Sequence, residues 1–222
     1  MPDAAEILAG LTELAEQSMM VAMLWHVLIA GAVLALARGW RPQTDVAATL
    51  LASLPASAAT LALLQGNWFN GIVLGTTAIA LLVLSTRLGR APVRGGAPLN
   101  RSVGVALVVF GYLYPHFLES MSPFWHLVAA PVGVVPCPTL AVLIGFTLLE
   151  ARGFSRGWIV VVATAGLFYG AVGIVRLGVW LDLPLLLGAL ALLPMMVAVP
   201  RSKPAMTAAS RASHLPGTRL GV

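Results

Sequence analysis

The feature that most constrains this chain is a series of long apolar runs that recur along its length. Each run approaches the roughly 20 residues that a helix needs to cross the hydrocarbon core of a bilayer. Only 9% of the 222 residues are charged, whereas a soluble domain carries roughly 25%. The runs lack the alternation of polar and apolar residues that is typical of strands. The sequence therefore predicts an all-α, polytopic integral membrane bundle.

The apolar runs define seven candidate spans, and the basic residues between them are sorted by side. Twelve of the thirteen basic residues fall on one side of these spans, and Arg176 alone falls on the other. By the positive-inside rule the basic side is cytoplasmic. We therefore expect seven transmembrane helices, with the N-terminus outside and the C-terminus in the cytoplasm, or six if the second or third span is re-entrant. The spans are near residues 18–37, 46–65, 69–86, 102–118, 128–149, 157–177 and 180–199.

Charge and hydropathy divide the chain into three regions. Residues 1–17 carry four acids opposite an apolar face, which indicates an amphipathic interfacial helix on the membrane surface or a solvated lead-in helix. Residues 18–200 form a single transmembrane helical domain. Residues 201–222 are basic and predict a disordered cytoplasmic tail. The net charge of +5 comes from loops and tail, so we expect contact with the lipid bilayer and not with nucleic acid.

The stretch "PVGVVPCPTLAV", residues 131–142, interrupts the fifth span with three prolines and the only cysteine of the chain. Proline lacks an amide hydrogen and disfavours helical geometry in the residue before it, so we expect no continuous helix through 131–138. In hydrocarbon the freed carbonyl groups need partners, so the break should face the bundle or a cavity. Pro138 suits the first position of a new helix, which would make Cys137 its cap and place Thr139 in its first turn. The positive end of that helix would favour a thiolate.

The interrupted span has two interpretations. In the first, Cys137 is a ligand for a solute or a soft metal, and Thr139 and the freed carbonyl groups support it. In the second, a proline-kinked helix simply packs against a neighbour, and the cysteine is a small buried apolar residue.

The same stretch resembles a known family. Tyr114-Pro115, followed by Gly133-Val134-Val135-Pro136-Cys137-Pro138-Thr139, is similar to the signature of a bacterial family of multi-pass membrane proteins, domain-of-unknown-function family 6064. Leu140-Ala141-Val142 stands where that family has a second threonine and an aromatic-rich run. The resemblance implies a bacterial cytoplasmic (inner) membrane protein and marks Cys137 for attention. We include Tyr114, Pro136 and Pro138 with Cys137 and Thr139 in the predicted ligand-binding site.

Histidines near one membrane face suggest a metal site. His116, His126 and Glu119 lie between the fourth and fifth spans, and His26 lies on the same side of the first span. With Cys137 they form a set of imidazole, carboxylate and thiolate groups that suits zinc or copper. Axial ligation of a haem by His26 and His116 is an alternative. A third possibility is that these histidines are ordinary interfacial or hydrogen-bonded side chains.

Arg176 and Asp182 flank a tight turn between the last two spans, and we expect them to form a structural ion pair. An anion-binding Arg176 is the alternative. Gly166 and Gly170 lie four residues apart, as small residues do where transmembrane helices pack closely.

The motifs favour binding over catalysis. The sequence has no catalytic triad, paired carboxylates, phosphate-binding glycine loop or cofactor fingerprint. One expected function is binding or transport of a small solute or soft metal ion at the broken helix. The other is that of a non-catalytic membrane subunit, in a homo-oligomer or in a larger redox or energy-transducing complex.

Overall fold

The computed structural model describes residues 3–118, 122, 124–150 and 152–198, and their regular structure is helical. Within these residues the only pairing of strand type is an isolated bridge between Gln43 and Pro92. The helices are α1 (Ala4–Gln17), α2 (Met19–Ala37), α3 (Thr44–Leu64), α4 (Trp68–Ser85), α5 (Pro98–Tyr112), α6 (Phe124–Ala129), α7 (Pro136–Leu149), α8 (Arg156–Ala171) and α9 (Leu183–Ala198).

Four helices are long and apolar enough to cross a membrane. They are α2, α3, α4 and the continuous stretch Arg156–Arg176, which extends α8 by a π-helical turn. Two further apolar helices are shorter, Pro136–Leu149 and Trp180–Met196. The chain is therefore all-helical and compatible with a membrane-embedded protein. The count of seven spans and the orientation stay predictions.

The second and third predicted spans correspond to a helical hairpin. Helix α3 has 21 residues and α4 has 18, so each is long enough to cross the bilayer. Gly66 turns the chain at a φ of +74°, and the side chain of Asn67 accepts a hydrogen bond from the amide of Asn70 to begin α4. The two helices then pack against each other, with Gly71 lying against Leu63.

Helix α7 lies at the centre of the bundle. From Pro138 to Leu148 every residue is buried, which is expected of a helix that is apolar on all sides. Helix α5 approaches it closely because glycines face each other: a Cβ at Gly104 would lie 2.7 Å from the Gly145 carbonyl oxygen. The close approach extends to Gly111, where a Cβ would lie 2.8 Å from the carbonyl oxygen of Pro138.

The predicted helix break at residues 131–138 is confirmed, but α7 begins earlier than predicted. Helix α6 ends at Ala129, and α7 begins at Pro136 after a non-helical cap at Val135. Cys137 is therefore the second residue of α7 and not its cap. Prolines are tolerated throughout a first turn because the amides there have no partner within the helix, so Pro136 opens the helix as readily as Pro138 would.

Helix α1 packs on the end of the bundle where α7 begins. A capping box between Asp3 and Glu6 starts the helix. Its residues Leu11, Leu14 and Ala15 are buried in a cluster that includes Tyr114, Val134 and Val135. The amphipathic helix is thus present, while its position on the membrane surface stays a prediction. The predicted tail, residues 201–222, lies outside the described residues.

The loop between α4 and α5 is attached to the start of α3 and the end of α7. The amide of Val93 donates a hydrogen bond to the carbonyl group of Pro42 at 2.9 Å. The amide of Thr44 donates to the carbonyl group of Ala91 at 3.0 Å. The amide of Gly96 donates to the Leu149 carbonyl at 2.9 Å. The loop is therefore packed against the end of the bundle that carries the basic loops, where α2, α4 and α7 end.

Candidate functional site

The centre of the candidate site is the carboxyl group of Asp182, which is only 1% exposed. Asp182 ends a 3-10 turn, Trp180–Asp182, that follows the π-helical turn Val172–Arg176 after α8. Such π-helical turns occur frequently at functional sites. Gly173 lies within this turn, and a Cβ there would overlap the Oδ2 atom of Asp182. The turn therefore makes room for a carboxyl group that the bundle encloses.

Two residues distant in sequence donate hydrogen bonds to this carboxyl group. The Tyr114 hydroxyl donates to Oδ1 at 2.7 Å, and the Cys137 thiol donates to Oδ2 at 3.2 Å. We call Tyr114, Cys137 and Asp182 the thiol–carboxyl cluster. It joins the chain after α5, the first turn of α7 and the turn before α9, so the broken helix does face the bundle interior.

The cluster contradicts the predicted thiolate at Cys137. A thiolate beside an ionised Asp182 would put two negative charges 3.2 Å apart in a buried site, so one proton must lie between them. The thiol group supplies that proton as the hydrogen-bond donor. The neighbouring carboxyl group, which the sequence did not place here, outweighs the positive end of the helix.

Thr139 fixes the shape of the break. Its hydroxyl oxygen accepts a hydrogen bond from the Gly133 amide at 2.8 Å and donates to the Val135 carbonyl. Gly133 has a φ of +73°, and the Trp25 ring occupies the space where a Cβ would project. Only glycine satisfies both conditions. These bonds tie Thr139 to the backbone of the break, while its predicted role as support for a ligand at Cys137 stays a prediction.

A second polar pair lies beside the cluster. The Tyr169 hydroxyl donates to Oδ1 of Asn70 at 3.1 Å, and both side chains are buried. Tyr169 is close enough to Cys137 to interact with it electrostatically. Helices α4 and α8 therefore extend the polar region inside the bundle.

His116 is the one predicted histidine that the structure brings to the cluster. It is close enough to Asp182 to interact with it electrostatically, and its ring packs against that of Phe117 at a tilt of 35°, with centroids 4.1 Å apart. Phe117 is the only described residue other than glycine with a positive φ, at 72°. Such a conformation is rare and strained for a bulky side chain, and strain of this kind often accompanies functional sites.

The other predicted metal ligands, His26, His126 and Glu119, are not shown in contact with the thiol–carboxyl cluster. Both ring nitrogens of His26 lie 2.9 Å from carbonyl oxygens, those of Ala22 and Tyr112, so backbone groups occupy the positions in which a metal would bind. His126 has a buried Nδ1 atom without a hydrogen-bond partner among the described residues. Glu119 lies outside the described residues. In the part of the chain that is described, no three His, Cys, Asp or Glu side chains form a metal-binding group.

Sequence reasoning missed the main residue of the site. Asp182 was expected to pair with Arg176, but its two oxygens accept hydrogen bonds from Tyr114 and Cys137. One signal could have identified it: Asp182 is the only acidic residue between positions 151 and 200, and an ionisable group within apolar helices indicates a functional site by default. Tyr169 and Asn70 gave no comparable signal.

No family model, curated protein or solved structure matches this chain. The resemblance that rests on the Pro-Cys-Pro-Thr motif therefore stays a prediction.

Proposed function

We propose that this chain is a seven-span integral membrane protein of a bacterial inner membrane that binds or transports a small solute or soft metal ion at the thiol–carboxyl cluster. The proposal has the N-terminus outside and the basic loops in the cytoplasm. Four apolar helices of spanning length support the membrane assignment. The contact between Cys137 and Asp182 carries the assignment of the site.

The chemistry of this contact supports cation binding. A buried carboxyl group within apolar helices is costly, and such groups commonly mark ion or substrate pathways. A divalent cation that bound Sγ of Cys137 and Oδ2 of Asp182 would displace the thiol proton, and the two negative charges would then balance the metal. Thiolate and carboxylate ligands together suit zinc better than magnesium or calcium. His116, which interacts electrostatically with Asp182, is a further imidazole group near the cluster.

Accessibility of the single thiol tests this function. We would label Cys137 in membrane vesicles with a small water-soluble maleimide, with and without zinc or copper(I). We expect slow labelling that metal suppresses at least several-fold, and loss of that suppression in Asp182→Asn. The Cys137→Ala variant, which has no thiol group, measures the background of maleimide labelling. Labelling that requires denaturation and ignores metal would contradict the proposal.

A second candidate is a non-catalytic membrane subunit in a larger complex. The observation that favours it is the exposure of α2, of which Ala22, His26 and Ile29 are the buried residues. Large apolar side chains such as Met20 and Val27 project outward from α2, at 83% and 69% exposure. This function predicts that the chain, extracted in a mild detergent, runs as an assembly clearly larger than its 23.1 kDa. A monomer in light-scattering measurements would exclude it.

The proposed topology has its own test. Reporter fusions placed after Ala37, after Ser85 and after Leu149 should all report the cytoplasm, because one basic loop follows each of these helix ends. A fusion after Leu64 should report the outer side. Any other pattern would contradict the seven-span arrangement.

A further inference from the structure

An apolar groove lies at the basic end of the bundle, on the surface between α2 and α3. Its cavity volume is about 210 Å³, and α7 forms its floor. Carbon-rich side chains line it, among them Trp25, Ile29, Leu50 and Phe146. Trp40 and Glu150 lie along it as well. Since α2 and α3 are both long and apolar enough to span the bilayer, this groove opens toward lipid acyl chains.

One lining residue of the groove is a carboxyl group that the protein leaves incompletely satisfied. Oε2 of Glu150 is buried and has no hydrogen-bond partner among the described residues. Burial raises the pKa of Glu150, and the nearby charges of Arg41 and Arg101 act in the opposite direction. A buried acceptor without a donor is costly, so this group indicates a ligand that carries a donor.

Basic residues accompany this carboxyl group. Arg41 donates from Nη1 to the carbonyl groups of Leu36 and Trp40, at 2.8 and 3.0 Å. These bonds hold the guanidinium group beside Trp40, a lining residue of the groove, and leave its other N–H donors for a ligand. The end of the groove therefore offers a carboxylate and a guanidinium group near each other, next to an apolar channel.

We propose that this groove binds a phospholipid with a primary ammonium headgroup. One acyl chain lies between α2 and α3, the ammonium group donates to Oε2 of Glu150, and Arg41 contacts the phosphate. The charges select this occupant over other lipids. A glycerol headgroup offers Glu150 only neutral hydroxyl donors, whereas an ammonium group forms a stronger, charge-assisted hydrogen bond with a carboxylate. A quaternary choline group has no N–H to donate. The inference does not depend on the function proposed for the thiol–carboxyl cluster.

Quenching of tryptophan fluorescence by brominated lipids tests the proposal, since Trp25 and Trp40 line the groove. The purified full chain in detergent would be titrated with brominated phosphatidylethanolamine, phosphatidylcholine and phosphatidylglycerol. We expect half-maximal quenching by the ethanolamine lipid at a concentration at least threefold lower than for the other two. Trp40→Phe should reduce this component, and Trp25, the other tryptophan of the groove, should account for what remains.

Two variants separate headgroup selection from general lipid contact. Glu150→Gln should abolish the preference for the ethanolamine lipid while quenching by the choline lipid stays unchanged. Arg41→Gln should weaken quenching by all three lipids. As a second measurement, native mass spectrometry of the wild-type chain should retain one ethanolamine lipid more strongly than the others. Equal quenching by all headgroups, strongest binding of phosphatidylglycerol, or an unchanged preference in Glu150→Gln would each overturn the proposal.

Discussion

Helix α7 connects two buried acidic sites that differ in how well the protein satisfies them. Near its first turn, the two oxygens of Asp182 accept hydrogen bonds from Tyr114 and Cys137. At its other end, Oε2 of Glu150 is buried without a hydrogen-bond partner in the described part of the chain. The 14 residues of α7 separate the two regions by roughly 20 Å.

The difference shows that burial alone does not define the role of a carboxyl group. Asp182 is enclosed by side chains from three parts of the chain, so its donors belong to the fold. Glu150 lies at the edge of a groove that faces the bilayer, so its missing donor has to come from outside. We therefore expect substitutions at Asp182 to affect stability as well as the proposed cation binding, and substitutions at Glu150 to affect mainly lipid binding.

The largest expected effect is that of Asp182→Ala, which should lower the free energy of unfolding by about 3 kcal/mol. The substitution removes two hydrogen bonds, those that Asp182 accepts from Tyr114 and Cys137, and creates a cavity. Glu150→Ala, the matched change at the other end of α7, should cost less than about 0.5 kcal/mol, because it removes a group whose buried oxygen has no donor. Denaturant unfolding in detergent, followed by tryptophan fluorescence, measures both. Equal losses would refute the distinction between the two regions.

Gly173→Ala should lower the free energy of unfolding by about 2 kcal/mol, the usual range for overpacking. The added Cβ would overlap Oδ2 of Asp182 and displace the carboxyl group from Cys137. Gly31→Ala in α2 is the control, since no atom lies within 4 Å of the added Cβ; it should be neutral or slightly stabilising. The unfolding temperatures of the two variants should be compared in the same detergent. Similar midpoints would contradict the tight packing around Asp182.

Tyr114→Phe should cost about 1 kcal/mol, the typical net value of one hydrogen bond inside a helical bundle. The thiol group of Cys137 would remain bonded to Asp182, so the loss should be smaller than in Asp182→Ala. Tyr112→Phe is the control because the carbonyl group of Tyr112, not its hydroxyl group, contacts His26. If the two variants unfold at the same denaturant concentration, the bond between Tyr114 and Asp182 contributes nothing.

The smallest expected effect is a pH dependence that comes from Glu150. Because burial raises its pKa in the folded protein, the folded state binds more protons than the unfolded state above the ordinary carboxyl range. Stability should therefore fall as the pH rises through that window. The change should be a fraction of about 1 kcal/mol, since the group is partly exposed and its charge is screened. Glu150→Gln should remove this slope between pH 4.5 and 7 in unfolding experiments, and an unchanged slope would assign it to another group.

The local physics of proline made the helix break predictable. Pro131, Pro136 and Pro138 fall so close together that they strongly disfavour a continuous helix, and the structure has the break where the sequence places it. The exact start of α7 was predicted two residues late, since proline fits any position in a first turn and the local sequence does not choose between them. Helices α2, α3 and α4 were also readable from length and hydropathy alone.

The partners of Asp182 were not predictable in the same way. Asp182 lies 45 residues from Cys137 and 68 from Tyr114, and only the packing of α5, α7 and α9 brings the three together. The sequence offered Arg176 as a near neighbour with the opposite charge, and proximity along the chain favoured that pair. The contacts of His26 were not predictable for the same reason, because the carbonyl group of Tyr112 that faces it is 86 residues away.

The position of Asp182 between two helix pairs has a mechanical consequence. Facing glycines hold α5 against α7, and Gly166 and Gly170 hold α8 against α9. Asp182 belongs to the second pair, while its donors Tyr114 and Cys137 move with the first. A ligand that took the place of the thiol or the carboxyl group would remove a polar contact between the two pairs, while apolar contacts such as that of Gly188 with Leu107 would remain.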